Sequence, residues 1–125
     1  MAVFGRGEET LILDEIKTKL EEVDPVVYYG MVDEAIRETV WDCTVFARTK
    51  LKTTANKTAY TDGYDVLIIR ENFVPEGTDR EIIDKMLEID GMRLASEDGS
   101  YTYINKPNTN TVVEMLTLHF VRARK

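Results

Sequence analysis

Apolar residues recur at every third or fourth position between Glu8 and Val23, and charged residues fill many of the positions between them. This spacing predicts an amphipathic surface helix with one buried stripe. The helix should end at Asp24, because Pro25 disfavours the helical conformation of the residue before it. The buried stripe is predicted to contain Ile12, Ile16, Leu20 and Val23.

Three β-strands are predicted to follow. Val26 to Tyr29 is rich in β-branched and aromatic residues, and Gly30 closes it. Trp41 to Lys52 alternates as a strand does, and Tyr60 to Asn72 has a centre that is apolar on both faces, which is typical of a strand in the middle of a covered sheet. For the strand from Trp41, the alternation predicts one face with Val45, Ala47 and Leu51 and another with Phe46, Arg48, Lys50 and Lys52.

Two stretches between these strands have no clear hydrophobic pattern. Met31 to Val40 fits a short helix or an irregular segment equally well. Thr53 to Ala59 contains only small or polar residues, so it has nothing to bury, and we expect an exposed, mobile loop. Residues 1–8 are expected to be a flexible N-terminus.

A second helix is predicted in the second half of the chain. Thr78 and Glu81 have the spacing of a capping box, so the helix should begin at Thr78. Gly91 is suited to end it, because glycine adopts the left-handed conformation that often follows a helix. The buried face of this helix is predicted to contain Ile82, Ile83, Met86, Leu87 and Ile89.

Three further strands complete the pattern. Met92 to Ala95 and Tyr101 to Ile104 are predicted to pair as a hairpin, in which Gly99 takes the positive φ that short hairpins need. The last strand is predicted from Thr111 to Arg122. Its two faces should contain Leu116, Leu118 and Phe120 on one side and Val113, Met115 and Val121 on the other.

The predicted order is therefore α-β-β-β-α-β-β-β, an α+β fold with a mostly antiparallel or mixed sheet flanked by two main helices. A length of 125 residues, of which 43% are hydrophobic, fits a single domain over residues 1–125 with its own core. Cys43 is the one cysteine, so no intrachain disulfide is possible and a reducing compartment is favoured. No stretch approaches the ~18 apolar residues of a membrane-spanning helix, and we expect neither secretion nor membrane insertion.

The charge balance limits the classes of partner. With 16 basic and 23 acidic residues, the net charge of −7 argues against a protein that holds nucleic acid by neutralising phosphates, but it does not exclude a protein that DNA merely passes. The basic residues are concentrated before and within the 53–59 loop and at the C-terminus. They can contact phosphate, dock on an acidic partner or protect a sheet edge, and the acidic background favours the last two. The candidate contact residues are Arg48, Lys50, Lys52, Thr53, Thr54, Asn56, Lys57, Arg122 and Arg124.

The sequence contains no recognisable catalytic constellation and no metal or cofactor motif. Cys43 and His119 lie far apart in the chain, and neither has a recognisable partner. We interpret Cys43 as a small packed residue and His119 as a half-buried residue of a strand. The alternative is a small cytoplasmic binding module or enzyme whose site is assembled in space around His119 and Tyr28 or Tyr29.

Several segments resemble the small neck proteins of long-tailed bacteriophages and prophages. The resemblance is greatest to the tail terminator or tail-completion class, whose genes lie beside those of the head-to-tail joining proteins. The segments that resemble this class are VYYG at 27–30, WDCTVFAR at 41–48, LIIRENFV at 67–74, GMRLASEDGSYTY at 91–103 and NTNTVVEMLTLHFVRARK at 108–125.

This resemblance implies a helix-flanked sheet and a ring on top of the tail tube, with no catalytic residue and no cofactor. The implied partners are further copies of the chain in a cyclic oligomer, a hexamer in the particle, together with the tail-tube protein and the head-to-tail connector. DNA would be present only in transit. The implied location is the virion neck, after synthesis in the bacterial cytoplasm. A head-completion or stopper protein of the same neck is the alternative within this class.

Overall fold

The chain is described by a computed structural model for residues 8–30, 41–53 and 60–124. The predicted α+β class and element order are confirmed. The segment from Met31 to Val40 lies outside the described residues, as do the predicted flexible N-terminus apart from Glu8 and the predicted loop apart from Thr53, which ends a strand. The elements are α1 (Glu8–Glu21), β1 (Val27–Tyr29), β2 (Cys43–Thr53), β3 (Tyr60–Glu71), α2 (Thr78–Leu87), β4 (Met92–Leu94), β5 (Ser100–Asn105) and β6 (Val112–Arg124).

The six strands form one mixed sheet in the order β1-β2-β3-β6-β4, and β5 also pairs with β6. Only the β1–β2 pair is parallel, and the other described pairs are antiparallel. The strand β3 lies between β2 and β6 at the centre of the sheet, as its doubly apolar pattern predicts. The long ladders on both sides of β3 make these three strands the framework of the fold.

Both described helices pack on the same side of the sheet, which we call the helix face. The alternation of β6 is confirmed, since its even-numbered apolar residues point into this core. The opposite side, which we call the open face, has a smaller apolar cluster in which Cys43 and Val45 are buried and Leu67 and Ile69 are partly buried. The helix-face core consists mainly of Leu13, Ile16, Leu20, Phe46, Tyr64, Val66, Ile68, Ile82, Met86, Ile89, Leu116, Leu118 and Phe120.

The predicted hairpin of Met92–Ala95 with Tyr101–Ile104 is wrong. Both β4 and β5 pair antiparallel with β6, so the two strands follow one another along the same edge of that strand. The residues between them bridge this edge and do not reverse the chain. Gly99 has no positive φ, but a Cβ at this position would lie 3.1 Å from the Thr117 carbonyl oxygen. Glycine therefore allows a close approach to β6 where we predicted a turn.

The predicted capping box of α2 is also wrong. Gly77, with φ of 98°, is the N-cap, and Thr78 is already the first helical residue and makes no capping hydrogen bond with its side chain. The backbone amide of Glu81 instead donates to the Gly77 carbonyl oxygen at 3.0 Å. At the other end, the left-handed conformation predicted for Gly91 is confirmed by its φ of 82°, although α2 itself ends earlier, at Leu87.

A buried ion pair fixes the connection between α1 and β1. The Asp24 side chain is 4% exposed, and its Oδ2 atom lies 3.0 Å from Arg70 Nη1. The hydroxyl of Thr44 donates to the same oxygen at 2.8 Å, and the amide of Val26 donates to Oδ1 at 3.1 Å. Arg70 also donates to the Cys43 carbonyl oxygen at 3.2 Å. Asp24, which the sequence marks only as a helix end, therefore ties α1, β2 and β3 together.

Candidate functional site

A β-bulge at Thr49 rearranges the basic residues of β2. Arg48 pairs with Tyr64, whereas Lys50 pairs with Gly63, so Thr49 is an extra residue in the strand. One extra residue moves every later side chain to the other face of the sheet. The predicted grouping of Arg48 with Lys50 and Lys52 is therefore wrong, because the two lysines lie on the open face and Arg48 lies on the helix face.

The same bulge explains the position of Leu51. We predicted Leu51 on the face of Val45, but it lies on the helix face, where it lines a groove with Leu11 and Ile12 of α1. Glycine at position 63 makes room for the bulge, since a Cβ there would lie 2.6 Å from Thr49 Oγ1. A glycine inside a strand pattern often marks such a bulge, so Gly63 is the signal that could have revealed it.

Lys50 and Lys52 form one wall of a groove on the open face, which we call the basic groove. Arg93 of β4 and Glu97 from the β4–β5 connection form the opposite wall, and Gly63 lies between the walls. The groove has a volume of about 640 Å³. Three cations face one carboxylate here, so the groove is a positive region on a protein of net charge −7.

Lys50 and Glu97 form an ion pair across the basic groove. Lys50 Nζ lies 3.2 Å from Glu97 Oε1, and their side chains are 58% and 53% exposed. An exposed pair of this kind contributes only about 0–1 kcal/mol to stability. Glu97 can therefore exchange for another carboxylate at little cost.

The structure separates the other predicted contact residues from the basic groove. Arg48 Nε donates to the Tyr29 hydroxyl at 3.2 Å, and Arg122 Nε donates to the Asp90 carbonyl oxygen at 3.0 Å. Both arginines therefore have partners on the helix face. Thr53 and Arg124 are the last residues of β2 and β6. Thr54, Asn56 and Lys57 lie outside the described residues.

The sequence analysis missed Arg93 and Glu97. Arg93 pairs with Val121 because β4 lies against β6, and the predicted hairpin would have placed it against β5. Glu97 reaches Lys50 across two intervening strands. No local sequence pattern indicates either position, because both depend on which edge of the sheet the short β4 strand joins.

His119 has a partner that the sequence did not reveal. Its Nδ1 atom lies 2.7 Å from Asp65 Oδ1, and the two residues are directly opposed on β6 and β3. Their side chains are 21% and 33% exposed, which confirms the predicted half-buried position of His119. A carboxylate on Nδ1 fixes the orientation of an imidazole, as it does for catalytic histidines. The pair lies on the open face, next to the basic groove.

Cys43 is a packed residue, as predicted. Its side chain is 1% exposed among the apolar residues of the open face. Burial, reinforced by the nearby Asp24 carboxylate, raises the pKa of the Cys43 thiol to about 11. The thiol is therefore protonated at neutral pH and lacks the thiolate that acts as a nucleophile.

We expect Cys43 to react with a thiol reagent such as DTNB at least about 100-fold more slowly in the native chain than in the unfolded chain, because a pKa raised from 9.0 to about 11 reduces the thiolate about 100-fold and burial blocks access. The release of the chromophore at pH 8, with and without guanidinium, measures both rates. A native rate within tenfold of the unfolded rate would contradict the buried position.

The strand β5 presents an exposed edge. All six of its residues are exposed, including Tyr101 at 54%, Tyr103 at 60% and Ile104 at 37%. A hydrogen bond to the Glu114 carboxylate raises the pKa of Tyr103. No further described strand lies beyond β5. An edge strand with exposed aromatic residues is a surface on which another chain can pair or pack.

Neither the metal-ligating side chains, the helices nor a comparison with known proteins assigns a function to the chain. Within residues 8–30, 41–53 and 60–124, no group of three or more His, Cys, Asp or Glu side chains is arranged to hold a metal ion. None of the described helices is long and apolar enough to cross a membrane. No protein-family model matches the chain, and a search of curated proteins found no similar sequence.

Proposed function

We propose that the chain is a structural protein of the neck of a long-tailed phage or prophage, a tail terminator that caps the tail tube and joins it to the head connector. The resemblance of five sequence segments supports this proposal. The structural observation that carries it is the exposed edge strand β5 with Tyr101, Tyr103 and Ile104. Such an edge suits a subunit that is covered by neighbours in an assembly.

The mechanism of a terminator is geometric. A ring of subunits binds the last ring of the tail tube with one surface and presents a different surface to the head side, so no further tube ring can be added. The two sides of this subunit do differ, because helices cover one face of the sheet and the basic groove lies on the other. The partners are further copies of the chain, the tube protein and the connector.

The net negative charge suits passage of DNA through such a ring. DNA is repelled by like charge, so an acidic channel surface lets it pass without binding. Exposed carboxylates are available on both helices, for example at Glu15, Glu81 and Asp84. DNA is then cargo in transit and not a ligand.

The proposal is tested by complementing a phage that lacks this gene. Without the protein, negative-stain images should show tails of abnormal length that are not joined to heads, and the wild-type chain should restore them. Unjoined tails of normal length would instead assign the chain to head completion. Normal, joined particles without the gene would refute a neck function.

The edge strand is tested in the same assay. Tyr101→Ser with Tyr103→Ser should leave the chain folded but fail to restore joining, because these side chains are exposed in the single subunit. Thr102→Ala on the same strand is the matched control. Joining by the tyrosine variant at the level of the control would show that the β5 edge is not an assembly surface.

The His119–Asp65 pair favours a second candidate, an enzyme or binding module with its site near His119. An oriented imidazole beside a basic groove is a chemical feature that a purely structural subunit does not need.

The His119→Gln change tests whether the role of the chain in the neck is purely structural. For the neck protein we expect His119→Gln and Cys43→Ser, singly and together, to leave head-to-tail joining nearly unchanged, because neither side chain is placed on the β5 edge. Circular dichroism should show a preserved fold with a modest loss of stability. A complete loss of joining by a folded His119→Gln variant would contradict a purely structural role.

A further inference from the structure

The basic groove and the outer surface of α2 lie on opposite sides of the subunit. Lys50, Lys52 and Arg93 point to the open face, as their pairing with Gly63, Thr61 and Val121 shows. Helix α2 packs on the helix face through Ile82 and Met86, so its outer surface points away from the sheet. A contact between these two regions therefore joins the open face of one subunit to the outer surface of α2 in the next.

The outer surface of α2 is acidic. Glu81 and Asp84 are exposed and lie about one helical turn apart. Leu87 follows at the same spacing, and its predicted place on the buried face is wrong, because it is 43% exposed. Glu76 and Asp79 add two carboxylates near the start of the helix. Arg80 lies among them and Lys85 follows Asp84, but Lys85 is paired with Glu22 and Glu88. None of the four carboxylates forms an ion pair in the described part of the chain. We call these four residues the acidic patch.

Other carboxylates near the acidic patch already form ion pairs within the subunit, so they are less available to a neighbouring subunit. Glu88 lies at the end of α2, but Lys19 Nζ is 2.7 Å from it, and this hydrogen bond lowers the pKa of Glu88. Glu22 and Glu21 of α1 are paired with Lys85 and Lys17, each at a distance of 2.7 Å or less. The acidic patch is therefore a group of carboxylates on α2 and just before it that is available to a neighbour.

We propose that the basic groove of one subunit binds the acidic patch of a second copy of the same chain. Glu81 and Asp84 are separated by about 4.5 Å along the helix axis, and Lys50 and Lys52 are separated by about 6.8 Å along the strand. The long lysine side chains can span this difference. Leu87 and Val121, which lines the groove, supply an apolar contact next to the charged one.

This contact is heterologous, since two different surfaces meet. Repetition of a heterologous contact closes into a ring when the rotation between subunits allows it, and otherwise forms a filament. The inference rests on the proposed ring and names the surfaces that would form it. Glu97 is displaced when the neighbour's carboxylates enter, and its exposed ion pair makes that exchange inexpensive.

A charge-reversal series tests the contact in the purified full chain. The groove variant is Lys50→Glu with Lys52→Glu, and the patch variant is Glu81→Lys with Asp84→Lys. Sedimentation equilibrium at low ionic strength should show association of the wild-type chain, which weakens with salt, and each double variant should associate at least about tenfold more weakly. The quadruple variant, in which both surfaces are reversed, should recover most of the loss because the opposite charges again meet.

Two single charge reversals, each changing the net charge by half as much as a double variant, keep the test specific. Glu15→Lys on α1 and Arg48→Glu on the helix face lie outside both surfaces, so each should associate as the wild type does. A wild-type chain that stays monomeric at every concentration, or a quadruple variant that does not recover, would overturn the proposal.

The outcomes also separate this contact from the proposed function. If the purified chain fails to associate but tails still need it for joining, the surfaces are wrong and the neck function stands. If the charge reversals behave as expected but phage particles form normally without the gene, the contact stands and the neck function is wrong.

Discussion

Replacing Asp24 by Ala should lower the free energy of unfolding by about 3–5 kcal/mol, because the change leaves the positive charge of Arg70 uncompensated. The Asp24 carboxylate is 4% exposed and accepts hydrogen bonds from the Thr44 hydroxyl and the Val26 amide, in addition to its ion pair with Arg70. Val26, Thr44 and Arg70 would all lose this common partner. Few single changes in this chain should cost more.

Guanidinium unfolding followed by circular dichroism at 25 °C measures this loss. Glu15→Ala on the exposed side of α1 is the control and should change the free energy by less than about 0.5 kcal/mol. The double change Asp24→Ala with Arg70→Met should be less destabilising than Asp24→Ala alone, since it removes the uncompensated charge. A loss below about 1 kcal/mol for Asp24→Ala would show that water replaces the carboxylate.

The sequence predicted the elements whose side chains face one large core. The stripe of α1 and the alternation of β6 are long and regular, and each side chain that the pattern placed inward meets the same core. The centre of β3 was equally clear, because a strand that is apolar on both faces is typical of the middle of a covered sheet, where β3 lies. Periodicity over ten or more residues was sufficient for these elements.

The two short edge strands were predicted near their observed positions, but their pairing could not be predicted in the same way. β5 is exposed along its whole length, so it has no buried face to set a pattern, and β4 has three residues. Which edge they join is decided by the length of β6, which is long enough to pair with both strands in turn. A turn-like sequence at Ser96–Gly99 suggested a hairpin, but the ladder of β6 outweighed that local preference.

Only part of the candidate site could be predicted from the sequence, for a related reason. The cluster of basic residues was evident, but the single extra residue at Thr49 divided it between the two faces of the sheet. His119 and Asp65 are 54 positions apart in the chain, and only the β3–β6 register brings them together. Contacts of this kind depend on register, which a single sequence specifies through its whole core and not through any local motif.

Changing Lys50, Lys52 and Lys57 to Glu should leave the melting temperature nearly unchanged and reduce head-to-tail joining at least about tenfold, since the reversals at Lys50 and Lys52 place carboxylates where an acidic partner docks. Lys50 is 58% exposed and its ion pair with Glu97 is weak, so the fold loses little. The matched control is Arg48→Glu, two residues before Lys50 but on the helix face, with a partner at Tyr29.

The contrast between these variants tests the bulge as well as the function. If the basic residues of β2 acted only through their total charge, Arg48→Glu should weaken joining about as much per residue as the lysine changes. If the open face is the docking surface, the lysine changes alone should act, because Thr49 turns Lys50 and Lys52 away from Arg48. Joined particles can be counted in negative-stain images of the complemented phage, with thermal unfolding of each purified variant as the check on its fold. Normal joining by the triple variant would show that the basic groove is not a docking surface in the assembly.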